Sequence, residues 1–264
     1  MAKVYLDPGH GGNDPGAVKY VTEKHANLTM ALACRDYLVA NGVTVKMSRT
    51  TDTGISINTV ANDANKWGAD LVISIHNNAG GGDGFEVFHS INGGKGKTLA
   101  SNIEAEVKKI GQNSRGLKTK KNSSGSDYFG VIRLTNAPAV ICEGAFVDNK
   151  SDAAQIDTTA EQQAFGYAYA RGILKTLGIA DKGLNGGKEE KKEETKPVAT
   201  TTTTTASKGY LVKVSKATVN IMKDPPVIVR KCPVGTYTIV DEKNGYGKLK
   251  SGEGWIKLAE VTKK

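Results

Sequence analysis

Asp70-Leu71-Val72-Ile73-Ser74-Ile75-His76 is a short apolar run, rich in β-branched residues, that ends on a histidine. So little polar alternation over this length suits a strand buried on both faces, the habit of a parallel sheet. Upstream, Ser56 can cap a helix that runs to Trp67 and stops at Gly68. Before it, Val43–Ser48 reads as a strand. Leu28, Ala31, Leu32, Leu38 and Val39 fall near helical spacing, and Asn41-Gly42 ends that helix. Lys3–Asp7 opens the series as the first strand. Downstream, Gly84–His89 and Ala139–Glu143 are strand patterns, and Leu99, Ile103, Val107 and Ile110 mark a helix ending at Gly111. Thr159 with Gln162 predicts a capping box for a last helix closed by Gly178. Repeated βα alternation implies an α/β fold: a doubly wound, mostly parallel sheet with helices on both faces.

That pattern occupies residues 1–180. Residues 181–207 contain GLNGGKEEKKEETK and a threonine tract, with almost nothing apolar to bury, and read as a disordered linker. Residues 208–264 read as short strands, GYLVKVS, TVNIMK, GTYTIVD, YGKLK and GWIKLA, punctuated by Pro225-Pro226, Asn244-Gly245 and Ser251-Gly252. They predict a small all-β barrel.

Charge separates the same segments. Residues 1–180 carry 19 Lys+Arg against 17 Asp+Glu, whereas residues 208–264 carry 12 against 5, a net of +7. A compact basic domain favours a polyanionic partner. The absence of a long arginine run and of clustered aromatics disfavours nucleic acid. No apolar run is long enough to span a bilayer. Cys34, Cys142 and Cys232 are odd in number and lie in apolar contexts, which reads as reduced core thiols rather than a disulfide framework. The Met1–Asp7 start carries no apolar export segment, so the expectation is synthesis in the cytoplasm.

The first strand leads into Asp7-Pro8-Gly9-His10-Gly11-Gly12-Asn13-Asp14-Pro15-Gly16-Ala17. A dinucleotide fingerprint fails here, because Asp14 stands where its third glycine belongs, and no GxxxxGK[ST] is present. In an open parallel sheet the carboxyl ends of the strands face one edge, where ligands bind. His10, His76 and Glu143 follow or close such ends and should converge, and Glu23, just before the first helix, can reach the same edge. Two imidazoles and a carboxylate form a catalytic zinc set, and a second carboxylate can serve as general base. His25 and His89 read instead as histidines bonded to backbone carbonyls. Cys142 should point to the opposite strand face from Glu143, which removes it as a nucleophile. No Ser-His-Asp or Cys-His arrangement is evident.

DPGHGGNDPGA, Glu23-Lys24 ahead of Asn27-Leu28, Arg49-Thr50-Thr51-Asp52, ADLVISIHNNA and PAVICEGAFVDN together resemble the zinc-dependent N-acetylmuramoyl-L-alanine amidases, in the family's order, over about residues 3–177. The resemblance implies one Zn2+ per chain held by His10, Glu23 and His76, with Glu143 as the catalytic base. It implies hydrolysis of the amide between the lactyl group of N-acetylmuramic acid and L-alanine of the stem peptide. The setting it suggests is a phage endolysin, with a sporulation or mother-cell-lysis autolysin as the alternative and another zinc wall peptidase as the rival activity. The family usually carries an arginine where this chain has Val60. Residues 208–264, with Val219-Asn220-Ile221 and Gly254-Trp255-Ile256, resemble a bacterial SH3-like wall-binding domain, with Met222 where a basic residue is usual. Trp255 reads as core rather than as a ligand platform. The implied partners are peptidoglycan and, through residues 208–264, anionic wall polymers; nucleic acid and membrane insertion are not expected, and the protein should be a monomer.

Overall fold

A computed structural model describes residues 1–185 and, beyond them, 210–214, 220–222, 228–231, 235–243, 246–249, 255–258 and 261–263. The chain divides into two compact units, Met1–Glu190 and Lys191–Lys264.

The first unit is built on six strands: β1 (Lys3–Pro8), β2 (Thr44–Met47), β3 (Leu71–Asn78), β4 (Phe85–His89), β5 (Ser114–Lys118) and β6 (Ala139–Phe146), in the order β2-β1-β3-β6-β4-β5. The neighbours β2, β1, β3 and β6 are parallel. β4 runs antiparallel to β6, and β5 follows β4. The reversal has a simple cause. A parallel return needs a crossover of a dozen or more residues, and only the glycine-rich turn of residues 79–84 separates β3 from β4.

Six helices flank the sheet: α1 (Glu23–Ala40), α2 (Ile57–Trp67), α3 (Gly94–Lys109), α4 (Gly130–Leu134), α5 (Lys150–Ala153) and α6 (Thr159–Leu177). Strand alternation sorts them. Val4, Leu6, Ile73, Ile75 and Cys142 face one core with Met30 and Cys34 of α1, Ile103 of α3 and Phe165 of α6. Tyr5, Val72 and Ile141 face a smaller core with Val60 and Ala64 of α2 and Val131 of α4. α6 sits close on its neighbours because glycines face them. A Cβ on Gly166 would lie 2.3 Å from the Met30 carbonyl oxygen, and one on Gly172 would lie 2.6 Å from the Ile103 Cα.

The helix ends follow the sequence closely. The Ser56 hydroxyl accepts from the Thr59 amide at 3.2 Å, and Gly68 closes α2 in the left-handed conformation. The capping box of α6 is Thr158 with Glu161, one residue earlier than Thr159 with Gln162; Gln162 bonds the Ile156 carbonyl instead. Glu23 lies inside α1, as its first residue, rather than before it.

The amidase-like unit continues past the expected boundary at residue 180. The Tyr37 hydroxyl donates to Asp181 at 2.8 Å, the Lys182 amide to the Asn41 carboxamide oxygen at 2.7 Å, and Asn41 in turn to the Gly183 carbonyl at 3.0 Å. The rest of the expected linker, 186–207, lies outside the described residues.

The second unit is an antiparallel sheet of seven strands, β7 (Tyr210–Val214), β8 (Asn220–Met222), β9 (Ile228–Lys231), β10 (Gly235–Lys243), β11 (Tyr246–Leu249), β12 (Trp255–Lys257) and β13 (Thr262–Lys263), in the order β13-β7-β10-β11-β12-β8-β9. Among the described residues, Val212, Ile239, Leu249 and Ile256 form its buried apolar cluster. Trp255 is half-buried, with the Lys248 ammonium 5.9 Å from its ring centroid. Val219, Cys232 and Gly254 lie outside the described residues. Among the described residues no helix is long and apolar enough to cross a membrane.

Candidate metal centre and catalytic cleft

The chain passes from β1 through α1 to β2 on one side, then through α2 to β3 on the other side of β1. The carboxyl ends of β1 and β3 therefore flank the point where the winding reverses, the place where open α/β sheets bind ligands. His10 follows the end of β1, His76 lies near the end of β3, and Glu23 begins α1 beside them. Their donor atoms all lie within 4.8 Å of one another. His10 Nε2 is 3.2 Å and His76 Nδ1 3.0 Å from Glu23 Oε1.

Two close approaches make this convergence possible. A Cβ on Gly9 would lie 2.1 Å from the His76 ring, and Gly16, at φ 66°, brings its backbone against the Glu23 carboxylate and the His10 ring. His10 itself holds φ 61°, and it is the one non-glycine residue with positive φ among those described.

Two of the donors, His10 and Glu23, are oriented from behind. The remaining ring nitrogen of His10, Nδ1, lies 2.8 Å from Asp14 Oδ2, and the other oxygen of Asp14 accepts from the Gly16 amide. Glu23 accepts from the amides of Ala17 at 2.8 Å and Asn77 at 3.1 Å. Asn77 bonds Asn27 and receives the Ala145 amide, which ties α1, β3 and β6 together beneath the site. The Glu23 hydrogen bond raises the pKa of His10 to about 9, against the opposing effect of burial. Burial alone would lift the Glu23 carboxyl, but hydrogen bonds with His10 and His76 hold it well below the usual range. For His76 burial is the largest influence and opposes the charge, but the Glu23 hydrogen bond and the charges of Glu143 and Glu23 together outweigh it, so its pKa is also raised.

Glu143 is paired in register with His76 on one side and with Glu86 on the other. The three side chains thus share one face of the sheet, the face opposite Cys142. Glu143 is half-buried, and its Oε2 atom is buried with no hydrogen-bond partner among the described residues. Burial pushes its pKa up to about 7, and the charges of Glu23 and Glu86 act in the same direction. Glu86 is itself held by Arg115 and by Asn78.

A cleft of about 280 Å³ opens beside His10 and His76. Asp7 and Ser74 lie on its floor, with the Asp7 carboxylate accepting from the Ser48 and Ser74 hydroxyls. Its other wall is apolar: Ile55, Ile57, Val60, Phe129 and Val131. Val60, which stands where the resemblance placed an arginine, is 2% exposed.

The other histidines stand apart from this cluster. His89 is buried and bonds the Ser90 carbonyl at 2.8 Å, as expected. His25 does not follow expectation: its ring is at the surface, 3.8 Å from Asp52 rather than on a backbone carbonyl. Cys34 and Cys142 are buried free thiols with pKa values pushed up by burial. The sequence reading missed Asp14 as the partner of His10, Asn27 and Asn77 behind Glu23, and Val131 of α4 in the cleft wall. Asp14 was legible in principle, since it lies four residues after a ligand-type histidine in a glycine-rich turn.

The sequence profile of N-acetylmuramoyl-L-alanine amidases matches residues 4–175. The sporulation-specific N-acetylmuramoyl-L-alanine amidase of Bacillus subtilis is 38% identical over 184 residues, covering 68% of this chain and 69% of that protein. The endolysin of Bacillus phage SPP1 is 34% identical over 189 residues, covering 68% of this chain and 67% of that protein. Among solved structures, the catalytic domain of the amidase CwlV from Bacillus (Paenibacillus) polymyxa superposes with a TM-score of 0.62 at 28% identity, covering 68% of this chain and 100% of that domain. With the profile spanning residues 4–175, the chain belongs to the N-acetylmuramoyl-L-alanine amidase family.

Proposed function

We propose that the protein is a zinc-dependent peptidoglycan amidase that cleaves the bond between the lactyl group of N-acetylmuramic acid and L-alanine. The convergence of His10, Glu23 and His76 within 4.8 Å, beside a half-buried Glu143, carries this reading. Two imidazole nitrogens and one carboxylate oxygen are ordinary zinc donors that leave a fourth position open. The carboxylate of Asp14 behind His10 is the usual outer partner of a ligand histidine. When bound, zinc supplies Lewis acidity, which acidifies water and polarises a carbonyl.

The protein's own groups do the rest. Glu143, with a pKa near neutrality and an unpartnered buried oxygen, takes the proton of the attacking water. It then returns that proton to the departing L-alanine nitrogen. Ile55, Ile57 and Val60 give one side of the cleft an apolar surface against which substrate can rest.

The basic C-terminal unit acts as an SH3-like wall-binding domain; its small antiparallel sheet and the net charge of +7 over residues 208–264 support that role. The setting is wall lysis by a phage, as the SPP1 endolysin match suggests, with sporulation as the second reading because of the match to the B. subtilis amidase. Digestion of purified peptidoglycan tests the activity. New L-alanine amino termini with intact sugars are expected. New reducing ends, or new amino termini from cross-bridge or D-amino acids alone, overturn it.

A further inference from the structure

Arg49 lies just beyond β2 and is 4% exposed. Its guanidinium reaches across the ends of the ligand-bearing segments. Nε donates to the Pro8 carbonyl at 2.8 Å, and Nη2 donates to the Gly9 carbonyl at 2.9 Å and the Lys24 carbonyl at 3.0 Å. Nη1 donates to Thr51 at 3.1 Å, which closes its own turn. These bonds go to backbone carbonyls rather than to a carboxylate, so the buried charge is not there as half of an ion pair. Burying such a charge is tolerated only where it is hydrogen-bonded, and here the Pro8, Gly9, Lys24 and Thr51 carbonyls satisfy it.

The carbonyls it holds are telling. Gly9 immediately precedes His10, and Lys24 immediately follows Glu23. One planar group therefore fixes the backbone beside two of the three proposed donors. The Gly9 carbonyl is gripped a second time by the Asn27 carboxamide at 3.1 Å. The next residue, His10, holds φ 61°. A non-glycine residue in that region carries backbone strain and keeps it only where its surroundings over-determine it. The same Arg49–Thr53 turn completes the restraint. Asp52 accepts from the Gly12 amide and from Lys24 Nζ, at 2.8 and 2.7 Å.

We propose that Arg49 is a positioning residue of the metal centre, one that sets the coordination geometry by locking the His10 and Glu23 backbones to each other before metal arrives. It touches neither substrate nor metal. The role rests on the zinc reading above. Lysine in its place keeps the charge but loses the planar fork whose fixed donors reach the Pro8, Gly9 and Lys24 carbonyls together.

The test compares the full-length wild type with Arg49→Lys. Zinc affinity is measured by chelator competition, and the visible spectrum is recorded after Co2+ substitution. Loss of an outer-shell partner typically weakens metal binding tenfold to a hundredfold. The expected result is a zinc Kd raised by about that factor, with an altered Co2+ spectrum and retained far-UV dichroism. If the metal-free variant is unfolded, the zinc concentration that restores its dichroism reports the same affinity, and a requirement at least tenfold above wild type is expected. A variant that loses thermal stability yet binds zinc with wild-type affinity and an unchanged Co2+ spectrum overturns the proposal, because Arg49 is then merely structural. Failure of the wild type itself to bind zinc overturns the metal reading instead.

Discussion

On the zinc reading, the charge state of His10 should make metal binding depend on pH in a specific way. His10 is hydrogen-bonded to Glu23 and Asp14, and its pKa is raised from 6.5 to about 9. Zinc takes the neutral imidazole, so binding must expel that proton. Below about pH 9 each unit of pH lost should weaken apparent affinity about tenfold on account of His10 alone. Between pH 9 and 6.5 the change amounts to roughly 300-fold. His76, also raised, steepens the dependence. An unperturbed histidine would give affinity that levels off just above pH 6.5. Chelator competition at pH 6.5, 7.5, 8.5 and 9.5 measures the slope, and calorimetry in buffers of different ionisation enthalpy counts protons released. Affinity that is flat from pH 7 to 9, with no proton release, refutes the reasoning. The same pairing has a stability counterpart with the opposite trend. A raised histidine pKa stabilises the metal-free fold fully below pH 6.5, and that contribution disappears as pH rises through about 9. After screening at the exposed Asp14 it is on the order of 2 kcal/mol, and thermal melts of chelated protein should show it.

Other outcomes follow from the same geometry. Glu143→Gln should keep zinc and fold but lose on the order of a hundredfold or more in turnover, whereas His76→Ala should lose zinc; metal analysis beside muropeptide assays separates them, and zinc loss by Glu143→Gln with normal turnover per bound zinc reverses the roles of Glu143 and Glu23. Gly166→Ala places a methyl 2.3 Å from the Met30 carbonyl between α6 and α1; overpacking of this kind should destabilise by about 1–3 kcal/mol or more in denaturant titrations, and a neutral result would mean that the helices separate at no cost. Removing residues 186–264 should weaken binding to intact walls while leaving hydrolysis of small soluble muropeptides nearly unchanged. Wall binding by the C-terminal unit should fall as salt rises, because exposed charges are screened beyond about 8 Å at physiological ionic strength; binding that persists in high salt and after removal of anionic polymers refutes its electrostatic part.

Much of the first unit could be read from local pattern. DLVISIH could only be a buried strand, Ser56 and Gly68 bracketed α2, and Gly178 closed α6, because caps and periodicities are set by a residue and its near neighbours. β5 could not be read so easily. Ser114-Arg115-Gly116-Leu117-Lys118 alternates weakly and contains a glycine, and it is a strand because it forms an edge beside β4. α4 is five residues long, too short to show a period, and is held by packing of Val131 and Ile132 against the sheet. The reversed direction of β4 and β5 lay in a connection length rather than in the strands' own residues.

The candidate site divides along the same line. Sequence alone placed His10, His76 and Glu143 at strand ends on one edge, and the resemblance supplied Glu23 as the third ligand. Residue types and their order determine which atoms are available for chemistry. Tertiary structure decided how those atoms are held: Asp14 behind His10, Asn27 and Asn77 behind Glu23, Val60 in the cleft wall, and the guanidinium of Arg49 across Gly9 and Lys24. Apart from the local Asp14–His10 bond, such contacts join segments far apart in the sequence, and their distances depend on how the sheet and helices close around one another, which no local propensity encodes.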